Sequence, residues 1–460
     1  MTCIKLVCFL LLSTTSLAFF IESIRHDLDG TTLSYYGMFI LTYFLLQMVM
    51  MGINRRKMNS IACERYPPTT LLIVGYREDP EYWRKALEHS MKQDYQGALD
   101  IVVSIDGNEE EDRYMKDIAH EVLQEYGGIV LWNPHGGKRT AMAHGFRHIL
   151  NAIPECEAIV VTDSDTRFEP SAVKHLVESL VADDSTGCVT GSLRVFDTHL
   201  LGRIINARYA YAFDVERSSM SATGVMNCCS GPLSAYRASI IKEDGFIEEF
   251  LAQKCCGMET GPGDDRHLTL MTMARGFKSR QTHLAKASTE APAGLQRFLR
   301  QQARWMRSFY RELPYQIRAI PKQNIMLAVI TQYEILYPFF ILTWVLWSLA
   351  FLPASLERGL RSTGISLTIA FIRTAILFVV GGYDPWLFMN IFYLPIYFFL
   401  LTPLKMYALA TSWKMKWYTG DRNHPITSWV DEEMIGIFLT LIAWNGFLGY
   451  SFVTKIQQLL

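Results

Sequence analysis

The sequence predicts an α/β domain held between two apolar, helical ends. Short branched runs alternate with helix-spaced stretches through the middle of the chain, which implies a parallel sheet with both faces covered. Apolar residues gather at the two ends, and hydrophobic residues make up 50% of 460 residues against 19% charged. That is enough chain for one sizeable soluble domain plus a membrane portion. The formal net charge of −1 leaves no general electrostatic case for a nucleic-acid partner. Nine cysteines include the pairs Cys228/Cys229 and Cys255/Cys256 but no C-x-x-C spacing. This usage fits reduced thiols rather than a disulfide or zinc framework. No internal repeat is present, and no obligatory protein partner is evident.

Taken in order, residues 6–21 are apolar after Lys5, and Leu33 to Ile53 form a second apolar run. The first could be a signal peptide, but Arg55-Arg56-Lys57 after the second favours two spans within residues 1–57. The positive-inside rule then places the polar middle of the chain in the cytoplasm. Thr70 to Val74, Leu99 to Ile105 and Ala158 to Thr162 read as strands, and Pro80 to Gln93 has helical spacing. Ligands of such sheets bind beyond the carboxyl ends of the strands. Those ends carry Tyr76, Glu78, Asp106, Asp163 and Asp165.

Asp163-Ser164-Asp165 puts two carboxylates on one side of an extended turn, where oxygen ligands for Mg²⁺ or Mn²⁺ on a diphosphate are needed. An isolated D-x-D is more often a solvated turn; the preceding strand and the other rim acids reverse that here. Gly136-Gly137-Lys138-Arg139 is a glycine turn followed by two cations that could meet phosphate, or a plain basic surface turn. Cys228 to Arg237 is a small-residue turn expected to enter a helix. Gly263-Asp264-Asp265-Arg266-His267-Leu268-Thr269 sets an acidic pair beside an arginine, suited to accepting a hydroxyl proton.

Leu295 to Glu312 has an apolar face and five arginines on the remainder, as a helix lying on the cytoplasmic membrane face would. Ile325 to Phe351, Ile365 to Val380 and Met434 to Phe452 are long enough, or nearly so, to span. Arg373 within the second of these must face protein or a polar cavity. Residues 386–412 are expected to re-enter or lie in the interface. A span there would put Lys405, Lys414, Lys416 and Arg422 outside.

Together these motifs resemble the processive family 2 glycosyltransferases, and most closely the membrane-integrated hyaluronan synthases. The specific matches are Cys229-Ser230-Gly231-Pro232-Leu233-Ser234-x-Tyr236-Arg237, the Gly263–Thr269 block and the run from Trp305 through Glu312, in that order; Gln301-x-x-Arg304-Trp305 and the D-x-D are less specific when taken singly. The resemblance implies a GT-A (Rossmann-like) cytosolic domain over residues 58–293, amphipathic interface helices over 294–323, and a helical transmembrane region over 324–460 with a cytosolic gating loop at 413–431. It further implies a multi-pass plasma-membrane enzyme that uses UDP-GlcNAc and UDP-GlcA and passes the nascent polysaccharide into the lipid bilayer. Tyr76, Glu78 and Asp106 would hold uridine and ribose. Lys138 and Arg139 would lie along the nucleotide-sugar, and Asp163 with Asp165 would bind Mg²⁺ or Mn²⁺. Asp265 would be the general base and Arg304 would contact the diphosphate. Ser230, Gly231, Asp264, Arg266, Gln301 and Trp305 would contact the acceptor, with Trp305 as its platform. In the gating loop Trp417, Thr419 and Arg422 would close over UDP. This chain departs from the family's Trp-Gly-Thr-x-Arg there, with Tyr418 for the glycine and one added residue before Arg422.

The expected reaction is a single inverting displacement. Lys138, Arg139, Arg194 and Arg266 are the cations expected to meet a uronate on the donor. A chitin or chitin-oligosaccharide synthase, using UDP-GlcNAc only, is the nearest alternative. A membrane transporter or scaffold with an inactive transferase domain is the alternative from another class, disfavoured by carboxylates at every expected position.

Overall fold

The computed structural model describes residues 33–460 apart from 135, 197–198, 256, 260–261, 293, 351–352 and 415–430. The expectations for residues 6–21 and for Trp417, Thr419 and Arg422 lie outside the described residues.

The branched runs become β1 (Thr69–Gly75), β2 (Leu99–Gly107), β3 (Ile129–Pro134) and β4 (Ala158–Asp163). Successive side chains point to opposite faces. Leu71 and Ile73 join a core with Trp83, Leu87 and Leu176, whereas Leu72 pairs with Phe146, Ile149 and Phe250 on the other side. Burial on both faces is why the central strands read as continuous apolar runs rather than alternating ones. The sheet continues through β5 (Arg167–Phe168), β6 (Thr186–Val195) and β7 (Ser234–Arg237). β8 (Lys254–Cys255) and β9 (Met258–Glu259) form a separate antiparallel ribbon, and β10 (Lys278–Thr289) returns to the main sheet. The eight-stranded order is β3-β2-β1-β4-β7-β6-β10-β5.

β1 to β4 pair in parallel, as the alternation of runs predicts. The sheet as a whole is mixed, because β7 is antiparallel to both β4 and β6. The expectation of a turn entering a helix at Cys228–Arg237 is corrected accordingly. The turn enters the four-residue strand β7, and a short helix, Ala238–Ile241, comes after it. Ala235 pairs with Val160 on one side and Val189 on the other. Without it the facing edges of β4 and β6 would leave buried amides unpaired.

Helix Leu33–Asn59 ends on Arg56 and Lys57. Its Asn54 is fully buried against the α/β domain, donating to Ser218 Oγ and to the Gln281 carbonyl, each at 3.0 Å. Ile325–Trp347, Pro385–Ala410 and Glu432–Leu459 are long and apolar enough to cross a membrane, and Ser366–Val380 is a shorter apolar helix. By length and composition this is a multi-pass membrane protein. Residues 385–410, expected in the interface, therefore have the length and hydropathy of a span. Their helix survives both prolines by changing type. A 3₁₀ stretch, one α turn holding Pro395 and a π stretch lead into Thr402–Ala410, where Pro403 occupies the first turn. Upstream, the Phe398 and Phe399 carbonyls accept instead from Trp444 Nε1 and Asn445 Nδ2 of the last helix, each at 3.1 Å.

Helix Leu295–Ala319 differs from the lipid-facing helix expected. Phe298, Leu299 and Ala303 pack on Leu401, Leu404, Met434 and Ile437. Arg300, Arg307 and Arg311 are buried in protein. Arg307 lies 2.7 Å from Glu433, and Arg300 lies 2.6 Å from Asp431. The acids preceding the last apolar run neutralise the arginines that the sequence alone assigns to lipid headgroups.

Candidate active site

The strand ends and the glycine turns build the site. Asp106, at the end of β2, accepts from Asn133 Nδ2 at 2.8 Å, Gly136 N at 2.9 Å and Gly137 N at 3.1 Å. It thereby fixes the turn that starts helix Lys138–Ala152. The Lys138 ammonium lies 2.6 Å from Asp163 Oδ1 and 3.1 Å from Asp264 Oδ2. Burial would strip its proton, but Asp163 and Asp264 outweigh burial and push its pKa well up. Gly231 packs close behind, where an added Cβ would come 3.0 Å from Lys138 Nζ.

Asp264 and Asp265 occupy the first turn of helix Asp264–Ala274, where carboxylates suit the helix dipole. The turn before it needs Gly263, whose φ is 101° and whose added Cβ would run into Ser308 Oγ. Asp265 Oδ1 accepts from Arg266 N at 2.7 Å, and its Oδ2 faces Gly231 N at 3.4 Å and Cys228 Sγ at 3.6 Å. Burial raises the Asp264 carboxyl, but Lys138 and Arg139 outweigh it and hold it below the usual range.

These groups open onto one cavity of about 850 Å³. Tyr76, Asp106, Lys138, Asp163 and Asp165 line it, as do Ser230, Gly231, Asp264, Asp265 and Arg266. Gln301, Arg304 and Trp305 complete that side. Trp305 is 39% exposed, with its ring 6.3 Å from Tyr209. Burial lowers the Arg304 pKa, offset by Asp264, Asp265 and Asp163.

Glu78 and Arg139 stand behind the wall instead of on it. Glu78 is buried and accepts from Ser164 Oγ and Asp79 N, each at 3.0 Å, tying the D-S-D turn to the end of β1. Arg139 is buried over the Phe250 ring and donates to the Phe250 carbonyl at 3.1 Å. Of the four cations expected to meet a uronate, Arg194 pairs with Asp214, Lys138 with Asp163 and Asp264, and Arg139 with a carbonyl. Arg266 alone of the four has both a place on the cavity wall and a nitrogen, Nη1, with no hydrogen-bond partner among the described residues.

The same cavity reaches toward the membrane side, where Arg208, Glu216, Asn227, Glu334 and Tyr393 line it. Sequence reasoning passed over these residues. The available signal was a single acid, Glu334, within the apolar Ile325–Ala350 helix. Arg373, which had to avoid lipid, lies over the Tyr211 ring at 4.2 Å.

Among the described residues no group of three or more His, Cys, Asp and Glu side chains could hold a metal. The pair Asp163 and Asp165 meets a smaller demand, since Mg²⁺ on a diphosphate needs only one or two protein carboxylates. Burial pushes the Asp163 carboxyl up, and Asp165 adds to that against the pull of Lys138. Asp165 is steadied by Thr289 Oγ1 at 3.0 Å. Two crowded carboxylates on the cavity wall fit a hard dication.

A mixed sheet with acids at its strand ends, opening on a cavity beside apolar helices, is the setting of a sugar-transfer enzyme. Residues 67–308, more than half of the chain, match the model of the glycosyltransferase-like family 2, and the chain belongs to that family. Within it the chain is related to the hyaluronan synthases. Hyaluronan synthase 3 of Mus musculus is 28% identical over 479 residues, covering 94% of this chain and 84% of the relative. Hyaluronan synthase 2 of Bos taurus is 28% identical over 452 residues, covering 88% and 80%. The solved structure of S. aureus TarS aligns over 75% of this chain and 53% of its own at 11% identity, with a TM-score of 0.36 too low to carry an argument.

Proposed function

We propose that this glycosyltransferase polymerises hyaluronan from UDP-GlcNAc and UDP-GlcA and passes the chain into the membrane region. One observation carries the reading. The acids Asp163, Asp165 and Asp265, the Gln301-Arg304-Trp305 face and the membrane-side residues Glu216 and Glu334 line a single cavity. The relatives' name supports the choice of product.

In this reading Tyr76 and Asp106 border the nucleoside, and Asp163 with Asp165 hold Mg²⁺ or Mn²⁺. Bound there, the metal would neutralise charge on the leaving diphosphate. Arg304 meets the same diphosphate; burial lowers its pKa and the charges of Asp264, Asp265 and Asp163 oppose that, a balance that a bound anion would tip further toward the charged form. Asp265 takes the proton from the acceptor hydroxyl as that oxygen attacks the anomeric carbon from the face opposite UDP, inverting it. Trp305 stacks on the acceptor ring. Asp106 and Glu78 act chiefly by holding the glycine turn and the D-S-D turn in place.

The chitin-type reading keeps one specific support. Three of the four cations assigned to a uronate are committed to protein partners, which leaves Arg266 for that task. Incubation of the purified protein with each UDP-sugar singly and then paired separates the two readings. The hyaluronan reading expects a hyaluronidase-sensitive polymer only from the pair. A long chitinase-sensitive product from UDP-GlcNAc alone would transfer the assignment to the alternative.

A further inference from the structure

Glu334 is the only acid of helix Ile325–Ala350, and an ionisable residue in a membrane-spanning helix is costly to keep without use. Asn227 Nδ2 donates to its Oε2 at 2.6 Å, and Gln316 Nε2 donates to the same oxygen at 3.2 Å. Gln316 is fully buried and also donates to Thr331 Oγ1 at 2.9 Å, so the donor is fixed before Glu334 meets it. Among the described residues nothing donates to Oε1, and no cation forms an ion pair with the carboxylate. A neutral amide oxygen could accept both of those bonds; the charge itself acts within the cavity, where it favours the charged form of the Arg266 guanidinium against burial.

Glu334 lines the cavity that contains Asp265 and Trp305. Asn227 immediately precedes Cys228, whose Sγ is 3.6 Å from Asp265 Oδ2. The backbone that borders the base therefore also aims Glu334. We propose that Glu334 is an acceptor-binding and specificity-determining residue, offering Oε1 to hydroxyls of the sugar being extended. A carboxylate accepts hydrogen bonds from a neutral, hydroxyl-rich ring and repels a uronate carboxylate. It ranks acceptor ends, with a neutral N-acetylhexosamine above a hexuronate. This inference rests on the polymerase reading above.

The test uses full-length protein in detergent and two oligosaccharide acceptors of equal length, one ended by N-acetylhexosamine and one by hexuronate. Each is paired with the complementary UDP-sugar. The wild type should show the lower acceptor KM for the hexosamine end. In Glu334→Gln the ratio of the two acceptor KM values should shrink about fivefold or more, with the donor KM unchanged. An unchanged ratio, or a donor KM that moves in step with the acceptor KM, overturns the proposal. Asn227→Ala removes one of the two bonds that aim the carboxylate, so Oε1 loses its orientation toward the acceptor and the ratio should shrink in the same direction. It serves as the deciding variant if Glu334→Gln does not fold, and an unchanged ratio there is equally fatal. A wild type that transfers to neither acceptor from either UDP-sugar sinks the polymerase reading and this inference with it. An active wild type with an indifferent Glu334→Gln sinks this inference alone.

Discussion

In the proposed reaction Asp265 and Asp165 do different work on one wall, and their amides should separate it. Asp265→Asn keeps the shape and the bond from the Arg266 amide but removes the proton acceptor. Polymer synthesis should fall at least about a hundredfold while UDP affinity, measured by calorimetry, stays near wild type. Near-normal synthesis would take the base role away from Asp265. Asp165→Asn removes a charged oxygen ligand, so UDP binding supported by Mg²⁺ or Mn²⁺ should weaken and activity should vanish. EDTA should abolish wild-type activity and either metal should restore it; full activity in a metal-free preparation would make the turn purely structural. His283, in β10, gives a pH signature outside the site. Burial, with Arg55 adding to it, lowers its pKa from the ordinary 6.5 to about 4. The folded state therefore resists a proton that the unfolded chain accepts, so stability is complete above pH 6.5 and declines as pH falls toward 4. The Tm of His283→Gln should change less between pH 7.5 and pH 5 than that of the wild type; identical slopes would exclude His283 as the cause.

Helix Leu295–Ala319 carries the next scale. One face supplies Gln301, Arg304 and Trp305 to the cavity, and the other is bound to the start of helix Glu432–Leu459. Arg307 and Glu433 are 4% and 1% exposed at 2.7 Å, and Arg307 also donates to Thr411 Oγ1 at 3.0 Å. Removing one partner strands a buried charge, at a cost of about 3–5 kcal/mol. Arg307→Met should lower thermal stability in detergent by that order, and Arg307→Met with Glu433→Leu should be the less destabilised protein. Additive losses would show that the two side chains do not depend on each other. The amphipathic pattern of residues 295–312 was legible as a helix with an arginine face. Its partner was not, because Asp431 and Glu433 lie more than a hundred positions away.

For the whole molecule, a transferase cavity that reaches toward apolar helices predicts coupled synthesis and export. In proteoliposomes with the active site outward, new polymer should enter the lumen and resist added hyaluronidase until detergent is supplied. Polymer that is fully digestible without detergent would separate synthesis from transport. The sequence by itself determined the α/β middle, the apolar ends, the acids at the strand ends and the order of the motifs, because period, turn residues and hydropathy are local properties. Tyr76, Glu78, Asp106, Asp163 and Asp165 were legible as rim residues for that reason, and the cavity lining includes each of them except Glu78, which stands behind the wall. Only the tertiary structure decided which of the cations remain available. Lys138 reads as a phosphate ligand until Asp163 and Asp264 close on it, and Arg194 as a spare cation for a uronate until Asp214 does. It alone also turned Ser234–Arg237 into an antiparallel strand and set Glu334 in the same cavity as Asp265. Burial, ion pairing and sheet edges depend on residues distant in the chain, and a carboxylate or an arginine carries no local mark of the partner it will meet.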